Sequence, residues 1–136
     1  MKNVLVLCTG NSCRSIIAEA LINKLGNGAF KAVSAGRFPT GHIHPKSIET
    51  LIRHNVDPGK PRSKSWDEFI DMSFDYVITV CDQAANESCP LFLGDALKLH
   101  WSTPDPASVN TNDKEINEAF DSAFYLLQQQ IKTELL

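Results

Sequence analysis

Apolar residues recur along this chain with two different periods, and the two kinds of run alternate. Residues 3–7 (NVLVL) are almost continuously apolar and run into turn-forming residues, the pattern of a strand buried on both faces. Residues 15–25 (SIIAEALINKL) set Ile17, Ala18, Leu21, Ile22 and Leu25 on one side of a helix, which Gly26 and Gly28 stop. A short strand follows at 30–34 (FKAVS), then a loop over 35–44 with Gly36, Pro39 and Gly41. Pro45 opens a second helix that reaches about His54, and a short helix fits 66–72. Residues 75–80 (DYVITV) are β-branched and aromatic and predict a third strand; residues 96–100 predict a fourth. Over 113–132, Ile116, Ala119, Phe120, Ala123, Phe124, Leu127 and Ile131 repeat at helical spacing and predict a long amphipathic helix with a core-facing stripe.

Strands alternating with helices predict an α/β domain: a four-stranded parallel sheet with helices on both faces. The 136 residues fit one domain, 1–136, and contain no repeat, low-complexity tract or linker. Ligands of such sheets sit beyond the carboxyl ends of the strands, where strand order reverses. Cys8 follows the first strand, Ser34 ends the second and Cys81 follows the third. If strands one and three are neighbours, about 4.8 Å apart, Cys8 and Cys81 emerge side by side, a separation compatible with a disulfide.

Charge and composition narrow the function classes. A formal net charge of −3 argues against nucleic acid or an anionic membrane as the main partner. No apolar run approaches the roughly 20 residues of a spanning helix, and the run before Cys8 is shorter than a secretory signal requires, so a cytoplasmic protein is expected. Static disulfides are rare in that compartment. The four cysteines are therefore structural thiols, metal ligands or redox catalysts. Cys8, Cys13, Cys81 and Cys89 have C-x4-C and C-x7-C spacing, which does not make paired zinc knuckles. His42, His44, His54 and His100 show no metal spacing and read as loop or surface residues; Trp66 and Trp101 read as packing residues. No metal and no cofactor is expected.

Residues 8–15, CTGNSCRS, connect the first strand to the first helix. A loop there can curl until successive N–H groups converge, which together with the helix N-terminus makes an oxyanion cradle from Thr9, Gly10, Asn11, Ser12, Cys13, Arg14 and Ser15. Gly10 and Asn11 are residue types that tolerate the left-handed backbone such curling needs. Arg14 supplies a planar fork for two oxygens of a tetrahedral anion. The same field favours thiolate at Cys8, which becomes a nucleophile aimed at the bound anion, and Ser15 is placed to donate a hydrogen bond to its sulfur.

VLVLCTGNSCRS resembles the phosphate-binding loop of the low-molecular-weight protein tyrosine phosphatase fold, and more closely that of the arsenate reductases built on it. VSAGRFPTG, HPKSIETL, DYVITVCDQAANESCP and HWSTPDPA resemble the corresponding family segments, so the similarity spans essentially the whole chain. It implies strand order 2-1-3-4. It also implies that Asp105, in the pair Asp105–Pro106, is the general acid. In phosphatases of the family an aromatic residue usually follows that pair; here Ala107 follows, which weakens a phosphotyrosine reading and leaves Asp105 to protonate a hydroxide leaving arsenate.

In the mechanism the resemblance implies, Cys8 attacks arsenate, Cys81 attacks Cys8 as arsenite leaves, and Cys89 attacks Cys81 to free Cys8. The final Cys81–Cys89 disulfide is presented to thioredoxin, with glutaredoxin or a low-molecular-weight thiol as other donors. Residues 82–89 (DQAANESC) carry only Ala84 and Ala85 as apolar residues, and mobility is expected of them. Cys13 also stands in related phosphatases and reads as a packing residue. Some reductases of this type hold potassium beneath the loop. Asn11, Glu19 and Ser34 match three of those positions, while Lys64 stands where the pattern has an aspartate, so its ammonium is expected to replace the cation and pair with Glu19. The expectation is thus a monomeric arsenate reductase of arsenical resistance, with phosphate or sulfate as analogues. The alternatives are a low-molecular-weight tyrosine phosphatase and a non-catalytic oxyanion-binding redox module.

Overall fold

A computed structural model of the protein describes residues 1–81 and 96–136. Strands β1 (Lys2–Cys8), β2 (Phe30–Gly36), β3 (Tyr76–Thr79) and β4 (Leu97–His100) form one parallel sheet in the order β2-β1-β3-β4. The helices are α1 (Arg14–Gly26), α2 (Pro45–Arg53) and α3 (Asp113–Glu134), with one-turn 3-10 helices at Trp66–Phe69 and Pro106–Ser108. The short helix expected at 66–72 is thus a single 3-10 turn, and β2 runs two residues beyond its expected end.

Alternation along β1 divides the core. Val4, Val6 and Cys8 face one side with Ile17, Leu21 and Ile22 of α1, Leu51 of α2, and Phe120, Phe124, Leu127 and Ile131 of α3. Leu5 and Leu7 face the other with Ala35 and Val77, covered by Trp66 and Phe69 of the 3-10 turn and by Phe74. Both faces of β1 are dry, which is why its sequence is a continuous apolar run. Trp101 is buried in the first cluster, as its size suggested.

Local chemistry sets the helix ends. Asn27, at φ 46°, is the left-handed residue that stops α1; its N–H bonds Lys24 O, while Gly26 is still helical and a Cβ there would press on Phe30. The α2 N-cap is His44, whose Nδ1 accepts from Lys46 N–H at 3.1 Å. His54, at the other end, stacks on Phe124 at 4.2 Å and bonds Asp121 at 2.8 Å. These two histidines, expected as loop or surface residues, stand half-buried at the two ends of α2 and hold it to its neighbours.

β1 and β2 end together at Cys8 and Gly36, and there the backbones crowd. A Cβ at Gly36 would lie 2.5 Å from Thr9 O and 2.8 Å from Cys8 O. Backbone cannot give way as a side-chain tip can. Gly36→Ala is therefore expected to cost about 2 kcal/mol or more, the upper part of the overpacking range, measurable as a lower midpoint in urea unfolding at unchanged slope.

Candidate active site

The chain reverses direction between β1 and α1 at Asn11, which holds φ 49°. Its buried amide fixes that turn. Nδ2 donates to Ser15 Oγ at 2.8 Å and to Ser34 Oγ at 3.0 Å, and Oδ1 accepts from Lys64 N–H at 2.9 Å. Of the two residues expected to take the left-handed conformation, only Asn11 does so. Gly10 instead leaves room, since a Cβ there would press on the Thr40 methyl at 3.3 Å. Ser15 forms no hydrogen bond to the Cys8 sulfur; its oxygen accepts from Asn11, which makes it a brace of the loop.

The carbonyls of the loop are turned outward and held there. Thr9 O accepts from Phe38 N–H at 3.0 Å, and Gly10 O from Thr40 N–H at 3.0 Å and Ser63 Oγ at 3.2 Å. Ser12 O accepts from His44 N–H at 3.2 Å and Ser47 Oγ at 2.8 Å. Sequence reasoning missed all five of these partners. Three act through backbone N–H groups, which no residue type announces; the hydroxyls of Ser47 and Ser63 lie 35 and 53 positions away from the carbonyls they hold.

Arg14 begins α1, behind a Cys13 that caps the helix with no side-chain bond. Its Nη1 donates to Thr103 O at 2.9 Å, and its Nη2 lies 3.9 Å from Asp105 Oδ2. Its Nε is buried with no hydrogen-bond partner; among the described residues it is the one such side-chain nitrogen or oxygen. An orphaned buried donor costs roughly 1–3 kcal/mol, so it marks where an acceptor belongs. Nε and Nη2 form the side-on edge of the guanidinium, and together they suit two oxygens of one anion. Arg14 lines a cleft of about 530 Å³ together with Thr9, Gly10, Cys81, Ser102, Thr103, Pro104 and Asp105.

Cys8 lies at the base of the loop and is 5% exposed; Cys81, 4% exposed, is its hydrogen-bonding neighbour. The expected juxtaposition of these two residues is therefore present, and neither is in a disulfide. Thr9 Oγ1 also contacts the Cys81 sulfur, at 3.5 Å. The expected thiolate at Cys8 is not what this arrangement favours. The Cys81 sulfur and burial push the Cys8 thiol well above its ordinary range, against Arg14 and the Gly10 N–H, which pull it down. Two sulfurs in contact resist carrying two negative charges, so the penalty falls on whichever ionises second. Cys13 packs in the core; burial raises its thiol, partly offset by the Ser12 and Ser47 hydroxyls. Cys89 and the expected mobility of 82–89 lie outside the described residues.

Beneath the loop, Lys64 is 8% exposed. Its Nζ donates to Arg62 O at 2.9 Å, and Glu19 acts on it through space without forming the direct ion pair expected. Burial pushes the ammonium down and the Glu19 carboxyl up, while each charge favours the other; Ser34 also pulls Glu19 down. These residues do not fit a potassium site. The Asn11 oxygen is engaged by an N–H, and a fixed ammonium already faces Glu19.

The family model described as low molecular weight phosphotyrosine protein phosphatase matches residues 3–135. The chain belongs to that family. Within it, the chain is 35% identical to an arsenate reductase of Staphylococcus aureus over 106 residues, covering 78% of this chain and 79% of that one. It is 30% identical to an arsenate reductase of Halalkalibacterium halodurans over 132 residues, covering 97% and 94%. A solved arsenate reductase in its phosphate-binding state superposes with a TM-score of 0.77 at 24% identity, covering 98% of each chain. A thioredoxin-dependent arsenate reductase of Corynebacterium glutamicum superposes at 0.73 and 26% identity, covering 98% of this chain and 61% of that one.

The contact between the two sulfurs gives a test. Cys81→Ala removes both of its upward effects on Cys8, so thiolate at Cys8 should increase. Iodoacetamide labelling of Cys8 at pH 7.5, followed by mass spectrometry, is expected to accelerate about tenfold or more, since only thiolate reacts. An unchanged rate would mean that Cys81 does not control Cys8.

Proposed function

We propose that this family member is an arsenate reductase working through Cys8, Cys81 and Cys89. The observation that carries the reading is the second thiol in contact with the first at the edge of an oxyanion cleft. Phosphoryl transfer needs one thiol, whereas reducing arsenic(V) to arsenic(III) needs two electrons, which a thiol pair supplies. The two relatives named arsenate reductase support it.

Arsenate binds with its oxygens on the inward N–H groups and the Nε–Nη2 edge of Arg14. The Cys8 thiol passes its proton to an oxygen of the bound arsenate and attacks arsenic as thiolate; a sulfur–arsenic bond forms, the bond from arsenic to a hydroxyl oxygen breaks, and Asp105 supplies the proton with which that hydroxyl leaves as water. Cys81 thiolate then attacks the Cys8 sulfur. The sulfur–arsenic electron pair stays with arsenic, which leaves as arsenite, and the two thiols become a disulfide. Cys89 attacks Cys81, Cys8 departs as thiolate, and the Cys81–Cys89 disulfide takes two electrons from an external dithiol. That donor is thioredoxin in this reading, which the fold shared with the Corynebacterium glutamicum enzyme supports. The protein acts as a cytoplasmic monomer; no helix among the described residues is long and apolar enough to cross a membrane.

Cys8, Arg14 and Asp105 alone also suffice for attack on an aryl phosphate, and the family description favours that as a second activity. The half-exposed Asp105 is N-cap of its 3-10 turn, with Oδ1 accepting from Ala107 N–H at 3.0 Å and Oδ2 facing the arginine.

Arsenate, thioredoxin, thioredoxin reductase and NADPH together are expected to give steady NADPH loss that Cys81→Ser and Cys89→Ser each reduce at least a hundredfold. Full turnover in both variants would sink the relay. Aryl phosphate hydrolysis should survive both changes and disappear with Cys8→Ser. The Lys64 ammonium removes the need for a monovalent cation, so exchanging sodium chloride for potassium chloride at constant ionic strength should leave kcat/KM within about 1.5-fold; clear activation by potassium would contradict that role.

A further inference from the structure

We infer that Thr103 is the positioning residue that aims the anion-binding edge of Arg14, and that it does so by hanging that edge from the end of β3. The inference rests on the proposal that the cleft binds an oxyanion. It does not depend on whether the chemistry there is reduction or phosphoryl transfer.

Arg14 carries five donors on a long flexible stem. Its Nε has no partner, and its Nη2 is 3.9 Å from Asp105, beyond hydrogen-bonding distance. Among the described residues the hydrogen bond that orients the guanidinium is thus a single one, from Nη1 to the Thr103 carbonyl at 2.9 Å. The side-on edge can face the cleft only while that carbonyl stays in place.

Thr103 is 4% exposed and is itself tied down. Its N–H donates to Val80 O at 3.1 Å and its hydroxyl to Trp101 O at 2.9 Å. Trp101 N–H donates to Thr79 O at 2.8 Å, and its indole N–H bonds the Glu134 carboxylate at the end of α3. Segment 101–103 is therefore hung from Thr79, the last residue of β3, and from Val80, directly before Cys81. Pro104 and Pro106 flank Asp105 and restrict the backbone on both sides of it. One short stretch accordingly sets three things at once: the aim of the fork, the place of the carboxyl, and the relation of both to the second thiol.

The hydroxyl is the replaceable part. Valine keeps the shape of threonine but leaves the buried Trp101 carbonyl without that donor, and the turn that fixes the Thr103 carbonyl loosens. Serine keeps the donor. Inorganic phosphate binding by calorimetry, with arsenate kcat and KM alongside, separates these cases in the full-length protein. Thr103→Val should raise the phosphate Kd and the arsenate KM about five- to tenfold with kcat changed less than about threefold, and Thr103→Ser should stay within twofold of wild type. Wild-type affinity in folded Thr103→Val overturns the inference. So does an equal loss in Thr103→Ser, which would implicate packing and not the hydrogen bond. If Thr103→Val does not fold, Glu134→Leu at its exposed position carries the test: a phosphate Kd raised about two- to threefold supports the strut, and an unchanged one overturns it. A wild-type protein that binds no phosphate would overturn the oxyanion site itself, an outcome distinct from failure of Thr103 alone.

Discussion

The amide of Asn11 is the fixed point of this protein. A non-glycine residue in the left-handed region costs roughly 1–2 kcal/mol, and it persists only where the surroundings over-determine it. Here they do. The amide reaches Ser15 in α1, Ser34 in β2 and the backbone of Lys64, so one side chain ties together helix, strand and the segment beneath them. The reversal it enforces turns the carbonyls of Thr9, Gly10 and Ser12 outward, where a second ring of donors holds them. The anion-binding character of the loop follows from that arrangement. The Nε of Arg14, buried without a hydrogen-bond partner among the described residues, belongs to a residue that lines the cleft at this loop.

Much of this was legible in the sequence, for reasons particular to each element. β1 is buried on both faces, so its residues could only be apolar, and its strand type was plain. Asn11, Ser34 and Glu19 could be assigned beneath the loop because they match positions of the reductases that the sequence resembles, and Ser15 because it closes the loop at the helix start. What stayed hidden was work done by backbone. The N–H groups of Phe38, Thr40 and His44 and the carbonyl of Thr103 would serve equally with many side chains, so no residue type signals them. Ser47 and Ser63 were hidden differently: each is an ordinary polar residue until the fold brings it to a carbonyl of the cradle.

Two expectations for the cradle meet different neighbours in the structure. Reading Cys8 as a thiolate, with Ser15 donating to it, considers the loop alone, where every visible group is a donor or a cation. The sheet adds a neighbour that the loop does not contain. Because β3 lies beside β1, Cys81 arrives against Cys8 and suppresses its ionisation. Ser15 meanwhile is drawn to the Asn11 amide, four residues earlier in the loop that precedes its helix. Local sequence specified the components of the site, and strand order specified which thiol lies against which.

Strand order also explains how one cradle can serve two chemistries. In the order β2-β1-β3-β4, whatever residue follows β3 must emerge next to the residue that ends β1. The side chain there decides what the first thiol can do after it has attacked. A residue that cannot be oxidised leaves the covalent adduct to water, which is hydrolysis. A second thiol within bonding reach offers the adduct an electron pair, and the central atom leaves reduced if its lower oxidation state is accessible. Arsenic has such a state under these conditions and phosphorus does not. With Cys81 in place the same attack by Cys8 would therefore reduce arsenate yet only hydrolyse a phosphate ester, and the substrate's redox chemistry, not a difference in the cradle, would select the outcome.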